Sequence, residues 1–313
     1  MRNQTQTLTL GTRGSLLART QSDWVASKLS EAHPGLAVAI KVIQTTGDMN
    51  REVPFSAVGT KGMFVKEIEQ ALLDGEIDFG VHSLKDMPSE LPEGLEIGCT
   101  PPRENPFDAL LSRNGLTLDR LPPGAVVGTS SVRRQTILKH GYPHLLIQEL
   151  RGNLDTRWKK LQDGQYDAII LACAGLNRLG WEDRITSELS FEIMMPAAGQ
   201  GALAIENRKG DNATRELLRA IHDEDSANCV AAERAFLAEL GSGCSVPAGA
   251  FAQIHGDLMI VRGLFHSQNE DRMCISKAQG AVSEAVSLGR QVAKLCLAQS
   301  ENRSAHANGF DEG

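Results

Sequence analysis

Apolar runs and amphipathic stretches alternate along most of the chain, and this alternation predicts an α/β fold. In the first part, apolar runs typical of buried strands occupy 8–12, 37–43, 77–81 and 95–99. Ser15 can cap a helix over 15–30, and apolar side chains recur at helical spacing over 63–73. A strand, a helix and a second strand in succession form a βαβ unit, which implies a parallel sheet.

The same pattern restarts after Pro101 and Pro102, which interrupt regular structure. Strands are predicted at 107–111, 125–127, 145–150 and 168–172, and helices at 131–140 and 153–161. A second break at 196–201 precedes a predicted strand at 202–205 and a predicted helix at 213–222. The two α/β halves are thus joined twice, which lets one half receive a returning segment of chain.

The last part of the chain predicts a smaller unit, with helices at 226–240 and 282–298 and strands at 249–254, 258–265 and 272–278. We therefore expect two α/β domains and a small α+β C-terminal domain. The expected boundaries are 1–101 plus 201–222 for domain 1, 102–200 for domain 2 and 223–298 for domain 3. Composition predicts disorder in the tail 299–313 and a mobile loop at 47–62.

Charge and hydropathy limit the class of protein. The 313 residues carry a net charge of −7, which argues against a generic nucleic-acid binder because phosphate neutralisation needs a basic face. The first residues lack the apolar segment of a signal peptide. No run is long enough to span a bilayer, so we expect a cytoplasmic protein without a membrane partner.

The six cysteines form no C-x-x-C pair and show no metal-like spacing with the eight histidines, so we expect reduced thiols and no metal site. Cys173 lies in a strand-like apolar run, and Cys229 and Cys296 lie in helix-like runs, which is typical of core residues. Cys244 alone lies on a loop whose glycines and proline disfavour helix and strand. Considered alone, it fits either a small apolar loop residue or a functional thiol.

Polar residues follow a predicted strand in each α/β half. Segments 11–15 and 128–131 both place glycine and hydroxyl groups where a strand leads into a helix, with arginine within or directly after them. The carboxyl ends of strands are the usual ligand crevice of an open α/β sheet, and free N–H groups at a helix start favour anions. The alternative to a ligand crevice is that the two short polar turns resemble each other by chance.

Six arginines lie at predicted strand ends or shortly after them: Arg13, Arg133, Arg134, Arg151, Arg157 and Arg178. Guanidinium pairs with carboxylate in a planar, bidentate way, so such a cluster suits a ligand with several carboxylates. The alternatives are solvated surface arginines or, for Arg157, an ion pair with Asp155 or Asp163.

Lys85 and Asp86 follow a buried strand and face the same predicted crevice, which makes Asp86 the strongest catalytic candidate. A carboxylate there could stabilise a developing cation or move a proton. A structural turn before Met87 and Pro88 is the alternative. Lys61 lies on the predicted mobile loop and could meet a ligand on closure, while His82 is expected to be a partly buried structural histidine.

Eight segments resemble the porphobilinogen deaminase family, and they occur in the family's order between about residues 9 and 250. They are 11–15, 62–67, 81–88, 127–135, 150–157, 166–172, 196–201 and 243–247. The resemblance implies that the two α/β domains are of the type II periplasmic-binding-protein class and are followed by the small α+β domain. It also implies a transferase, also called hydroxymethylbilane synthase, that joins four porphobilinogen molecules head to tail with release of ammonia. The chain grows on a covalent dipyrromethane primer and is released by hydrolysis as hydroxymethylbilane.

The resemblance also implies roles for individual residues. Cys244 would hold the dipyrromethane cofactor through a thioether, and Asp86 would stabilise positively charged azafulvene and pyrrole intermediates. Cofactor-binding residues would be Ser83, Lys85, Thr129, Ser131, Arg133, Arg134 and Arg157. Substrate or growing-chain contacts would come from Arg13, Ser15, Lys61, Phe64, Arg151, Arg178 and Gln200. A monomer is expected from the family, and porphobilinogen is the expected small-molecule partner.

A second hypothesis is a cleft-closing binding protein or sensor for a carboxylate ligand, which the two-lobed organisation also fits. Such a protein needs the arginines but has no use for Cys244 or Asp86. A covalently held pyrrole adduct separates the two hypotheses.

Overall fold

The computed structural model describes residues 6–46, 65–88, 90–241, 246–267 and 271–301. Cys244, Lys61, Phe64 and the predicted loop 47–62 lie outside the described residues. The predictions made for them therefore stay predictions.

Eight α-helices occur in the described ranges. They are α1 (Leu16–Ala32), α2 (Lys66–Leu73), α3 (Val132–Gly141), α4 (Leu154–Gln162), α5 (Cys173–Arg178), α6 (Asn212–Leu218), α7 (Glu224–Glu239) and α8 (Ala285–Glu301). Ser15 caps α1 and Ser131 caps α3, because each hydroxyl accepts a bond from a backbone N–H of the first turn. The predicted cap at Ser15 is confirmed.

Thirteen strands accompany these helices in the same ranges. They are β1 (Gln6–Thr12), β2 (Leu36–Val42), β3 (Phe79–Ser83), β4 (Leu95–Cys99), β5 (Asp108–Ser112), β6 (Val126–Gly128), β7 (Leu146–Gln148), β8 (Ala168–Ala172), β9 (Ser187–Leu189), β10 (Leu203–Arg208), β11 (Ala248–His255), β12 (Leu258–Ser267) and β13 (Arg272–Ala281).

Two five-stranded sheets form the larger part of the molecule. The first has the order β2-β1-β3-β10-β4, with β1 parallel to β2 and β3 and with β10 antiparallel to both neighbours. The second has the order β7-β6-β8-β5-β9, with β6 parallel to β7 and β8 and with β5 antiparallel to its neighbours. The chain leaves the first sheet after β4 and returns as β10, which confirms the predicted double connection.

A three-stranded antiparallel sheet, β11-β12-β13, carries α7 and α8 on one face. Phe236 of α7 and Val292 of α8 are fully buried in its core. On the other side, Phe251 and Leu264 join the apolar cluster of the second sheet. The third sheet is thus packed against the second, and the predicted arrangement of two α/β units and a small α+β unit is confirmed.

Two local predictions were wrong. Cys173 begins the short helix α5 and does not belong to a strand, although it is buried as expected. Helix α8 continues to Glu301, so the expected tail boundary at 299 falls inside a helix, while 302–313 lie outside the described residues. Among the described helices, none combines the length and apolar character needed to cross a membrane.

Candidate active site

The carboxyl ends of the parallel strands carry most of the predicted site residues. Arg13 follows β1, and Lys85 and Asp86 lie in a single 3₁₀ turn directly after β3. Arg133 and Arg134 lie in the first turn of α3 after β6, and Arg178 ends α5 after β8. Because β1 is parallel to β3 and β6 to β8, these groups share one edge within each sheet.

Asp108, the first residue of β5, is fully buried and holds two arginines of α3. Its Oδ2 accepts a bond from Nη1 of Arg133 at 2.8 Å, and its Oδ1 accepts one from Nη2 of Arg134 at 2.6 Å. Burial alone would raise the pKa of Asp108, but the two guanidinium charges outweigh burial and hold this pKa well below its usual range. Asp108 is therefore a fixed carboxylate that orients both arginines.

Each of these arginines also donates to a backbone carbonyl. Arg133 bonds to the oxygen of Met195 at 2.5 Å, and Arg134 bonds to that of Ile170 at 2.8 Å. Within the described residues, the buried Nε atoms of both arginines have no hydrogen-bond partner. The two guanidinium groups thus keep donors that the described protein does not satisfy.

The chain passes from the first sheet to the second through 100–107, which we call the outgoing crossing, and back through 190–202, the returning crossing. Gln200 lies on the returning crossing and connects the two sheets. Its Oε1 accepts a bond from Nζ of Lys85 at 3.1 Å, and its Nε2 donates to Oδ1 of Asp108 at 2.8 Å and to the carbonyl of Pro106 at 2.7 Å. The residue is buried, and both amide hydrogens are engaged. Through this side chain, the end of β3 is linked directly to the start of β5.

Burial is the main cause of the lowered pKa of Lys85. Its burial and the nearby Arg134 lower the pKa of its ammonium group to about 8, while Asp86 and Asp108 act in the opposite direction. Burial and Arg134 likewise lower the pKa of Arg157 to about 10, against the attraction of Asp86. Asp86 is exposed, so its carboxylate is open to solvent beside two cations.

We call Lys85, Arg133, Arg134 and Arg157, together with Asp86 and Asp108, the cationic cluster. Four cations share two carboxylates there, and Asp108 is already committed to two of those cations. In the described chain, Arg157 forms no ion pair with Asp155 or Asp163, and its Nε donates to the carbonyl of Gly152 at 2.7 Å. The cluster therefore has a positive excess that suits an anionic ligand.

The hydroxyl groups among the predicted site residues also have local partners. Ser83 exchanges hydrogen bonds with the amide of Gln21 in α1, the shorter at 3.1 Å. The hydroxyl of buried Thr129 accepts a bond from the backbone N–H of Ser131 at 3.2 Å. These contacts fix the turns that begin α3 and end β3, next to the cationic cluster.

The other predicted substrate arginines lie apart from Asp108. Arg151 follows β7 and forms an ion pair with Glu149 at 2.6 Å. Arg178 donates to the carbonyl of Gly201 at 2.7 Å, and burial lowers its pKa to about 10 despite the attraction of Glu104. Arg178 is thereby attached to the same crossing that carries Gln200.

A buried ion pair locks the two crossings to α7. Arg103, on the outgoing crossing, donates to both carboxylate oxygens of Glu233 at 2.7 and 3.0 Å. Its Nε donates to the carbonyl of Gln200 at 2.8 Å, and Glu233 also accepts from the backbone N–H groups of Gly199 and Ala252. One carboxylate thus joins the outgoing crossing, the returning crossing and the third sheet.

The returning crossing needs glycine on each side of Gln200. Gly199 and Gly201 have φ values of +73° and +89°. A Cβ atom on Gly201 would lie 2.2 Å from the carbonyl oxygen of Glu104, a contact that no side chain tolerates. The glycines therefore allow the close approach of the two crossings that places the Gln200 amide.

Sequence reasoning missed Asp108, Arg103 and Glu233. Asp108 had a usable signal, because an acidic residue begins the apolar strand of 107–111 directly after a proline-rich break. Glu233 lies in a helix, and the sequence alone does not show whether a single carboxylate in a helix is buried or exposed. His82 is buried and lies 3.1 Å from Glu206, which confirms its expected burial.

Two family models match the chain. The dipyrromethane cofactor-binding domain of porphobilinogen deaminase matches residues 8–216, and the porphobilinogen deaminase C-terminal domain matches residues 227–298. A solved periplasmic VFT2 domain of Bordetella pertussis BvgS is 15% identical, covers 72% of this chain and 93% of that chain, and has a TM-score of 0.42.

Curated relatives match over almost the whole chain. Porphobilinogen deaminase of Syntrophus aciditrophicus is 44% identical over 92% of this chain and 94% of its own length. Porphobilinogen deaminase of Brevibacillus brevis is 49% identical over 93% of this chain and 94% of its own length. Identity at this level and coverage shows common family membership.

Proposed function

The chain belongs to the porphobilinogen deaminase family, and on that basis we propose that it builds a linear tetrapyrrole from four porphobilinogen molecules. Ammonia leaves at each addition, and hydrolysis releases hydroxymethylbilane at the end. The observation that supports this most strongly is the cationic cluster, which Gln200 links across the two sheets. Each porphobilinogen unit brings two carboxylates, so the lengthening product is a polyanion that needs such a cluster.

We propose that Cys244 carries a dipyrromethane cofactor through a thioether. Cofactor contacts would come from Ser83, Lys85, Thr129, Ser131, Arg133, Arg134 and Arg157. The unpartnered buried Nε atoms of Arg133 and Arg134 fit a group with several carboxylates, and so does the excess of cations over carboxylates in the cationic cluster. When bound, this group supplies the primer to which the first substrate is joined.

Asp86 would act as the catalytic carboxylate. Loss of ammonia leaves a delocalised cation on the substrate, and a fixed carboxylate beside it lowers the energy of that charge. Asp86 is exposed at the end of β3, while Lys85 and Arg157 beside it attract its charge. These neighbours orient the carboxylate and hold substrate carboxylates near it.

Arg13, Ser15, Arg151 and Arg178, with Lys61 and Phe64, would contact substrate or the growing chain. Gln200 was grouped with them, but its buried amide is bonded to Lys85, Asp108 and Pro106. We assign it a positioning role, in which it sets the distance between Lys85 and the two arginines of α3.

Domain boundaries at 1–101 plus 201–222, 102–200 and 223–298 are supported by the three sheets and by the crossings at Arg103 and Gln200. We propose that the protein acts as a cytoplasmic monomer, with α8 extending domain 3 to Glu301. Light scattering on the purified protein tests the proposed monomeric state. The mass of a dimer would contradict it.

Intact mass spectrometry tests the covalent cofactor. Protein purified from cells should be heavier than its sequence by one dipyrromethane unit and give a coloured adduct with Ehrlich's reagent. Cys244→Ala should have the sequence mass, give no colour and form no product. An unmodified, inactive wild-type chain would refute the proposal and favour a carboxylate-binding protein. Full activity in the variant would refute the attachment of the cofactor to Cys244.

Asp86→Asn tests the catalytic role. The variant should keep the cofactor mass and its melting temperature, yet lose far more than tenfold in turnover, which corresponds to about 1.4 kcal/mol of barrier. Asp155→Asn is a matched control, since Asp155 is an exposed carboxylate in the first turn of α4. A loss below tenfold in Asp86→Asn, or equal losses in both variants, would make Asp86 an accessory residue.

A further inference from the structure

Two histidines and an aspartate that are distant in sequence converge where α3 meets the third sheet. His140 lies in the last turn of α3, His266 lies near the end of β12, and Asp271 precedes β13. Nε2 of His266 lies 3.1 Å from Oδ1 of Asp271, and Nε2 of His140 lies 3.9 Å from the same oxygen. The three potential ligand atoms lie within 4.8 Å of one another.

The hydrogen bonds of His140 prepare it to bind a metal. Its Nδ1 lies 3.1 Å from the carbonyl oxygen of Thr136 in the preceding turn. A carbonyl oxygen only accepts hydrogen bonds, so this bond places the ring proton on Nδ1. The lone pair of Nε2 is then available to bind a metal ion. Fixing the outer ring nitrogen in this way is the usual support of a metal-binding histidine.

His266 approaches the cluster from the buried side. Its side chain is only 9% exposed, and its Nδ1 has no hydrogen-bond partner in the described part of the chain. Its Nε2, which lies 3.1 Å from Oδ1 of Asp271, is the ring nitrogen that faces the cluster. The two imidazole rings meet edge to face, with centroids 5.0 Å apart.

The cluster spans an interface between two parts of the fold. Leu138 of α3 and Leu264 of β12 belong to one buried apolar cluster, so the histidines are carried by elements that already pack together. An ion held by His140 from one side and by His266 and Asp271 from the other would fasten α3 to the β12–β13 hairpin. None of the three residues takes part in the function proposed above.

We propose that His140, His266 and Asp271 form a Zn²⁺ site. Imidazole nitrogen and carboxylate oxygen suit zinc, and three protein ligands leave the remaining coordination position to water. Zinc bonds near 2.0–2.1 Å place tetrahedral ligand atoms about 3.3 Å apart. The 3.1 Å separation at His266 already agrees, and the exposed His140 ring has to move toward both partners, because its Nε2 lies 3.9 Å from Asp271 and the three ligand atoms lie within 4.8 Å of one another.

Calorimetric titration with zinc chloride tests the site on the full-length, cofactor-bearing protein after treatment with EDTA. The wild type should bind one equivalent and gain melting temperature on binding. His140→Ala and Asp271→Asn should each weaken binding by at least about tenfold, the loss expected already for an outer-shell partner. Asparagine is chosen because Asp271 has φ +45°, which asparagine tolerates.

His144→Ala is the matched control, since His144 is an exposed histidine shortly after α3 that is not part of the cluster. It should bind zinc like the wild type. Absence of stoichiometric binding to the wild type would overturn the proposal, as would undiminished binding to His140→Ala. The readout is binding and not turnover, so it remains decisive whatever the outcome for Cys244 and Asp86.

Discussion

Glu233→Gln should be the substitution that most weakens the junction of the three sheets. Glu233 is fully buried in α7 and accepts four hydrogen bonds, two from Arg103 and one each from the backbone N–H groups of Gly199 and Ala252. All four partners are donors. Each oxygen accepts two of these bonds, so the NH2 group of a glutamine would face two donors in either orientation, and the charge that balances Arg103 would be lost.

The expected size follows from the burial of the pair. The side chain of Arg103 is 9% exposed and that of Glu233 is 0% exposed. Removing one partner of a buried pair leaves the other charge uncompensated and destabilises by about 3–5 kcal/mol. At about 2 °C per kcal/mol for a chain of this size, the melting temperature should fall by about 6–10 °C.

Thermal unfolding followed by circular dichroism measures this fall, and Glu216→Gln is its control. Glu216 pairs with Arg219 at 3.3 Å, but the two side chains are 66% and 76% exposed. A solvated pair contributes less than about 1 kcal/mol, so the control should shift the melting temperature by less than about 2 °C.

Activity should also fall in Glu233→Gln, because Arg103 holds the carbonyl of Gln200 at 2.8 Å. Without its partner, Arg103 positions Gln200 less well, and Gln200 in turn holds Lys85. A melting temperature within 2 °C of the wild type, or equal shifts in both glutamine variants, would refute the idea that Glu233 locks the crossings.

Three further changes test the site and its surroundings. Asp108→Asn should destabilise the protein at pH 7. The folded pKa of Asp108 lies below its unfolded value near 3.9, so the stability that its charge provides is lost as the pH falls. The urea midpoints of the variant and the wild type should therefore converge below about pH 4. A pH-independent difference would contradict the assignment. NMR titration of the Cys244→Ala protein should give a pKa of about 8 for Lys85. The pKa should be higher in the cofactor-bearing protein, because a bound anion favours the ammonium form. Equal pKa values in the two proteins would argue against a nearby anion. Gly201→Ala and Gly210→Ala share positive φ values of +89° and +83°, but only the first places a Cβ atom against backbone, at 2.2 Å. Gly210→Ala should therefore lose about 1–2 kcal/mol and Gly201→Ala clearly more, and equal losses by thermal unfolding would contradict the close approach of the crossings.

Local sequence pattern predicted the strands and helices well where it was regular. The apolar run of 168–176 shows the limit of such patterns, because a buried strand and a buried helix look alike when they are short. The chain turns from β8 into α5 at Cys173, and only tertiary packing decides this. Helix α8 likewise extends past the expected boundary because Gln299 bonds to Ser276 in β13, a partner far away in sequence.

The positions of the site residues could be predicted because strand ends are local features. Their partners could not, since pairing depends on which strands become neighbours. The insertion of β10 between β3 and β4 brings Gln200 beside Lys85, and no local spacing encodes that neighbour. The roles given to Cys244, Lys61 and Phe64 come from family resemblance and stay predictions.

Asp108 explains how a cationic site can hold its side chains in fixed positions and still bind an anion. Two neighbouring buried guanidinium groups repel each other and would not stay oriented without a counter-charge. If each guanidinium group had its own carboxylate, the pair would be neutral and would have no positive charge left to attract a ligand. One fully buried carboxylate shared by Arg133 and Arg134 fixes both directions and leaves one positive charge in excess. Lys85 and Arg157 add to that excess, and burial together with the nearby Arg134 lowers the pKa of each, so a bound polyanion would stabilise both in their charged forms.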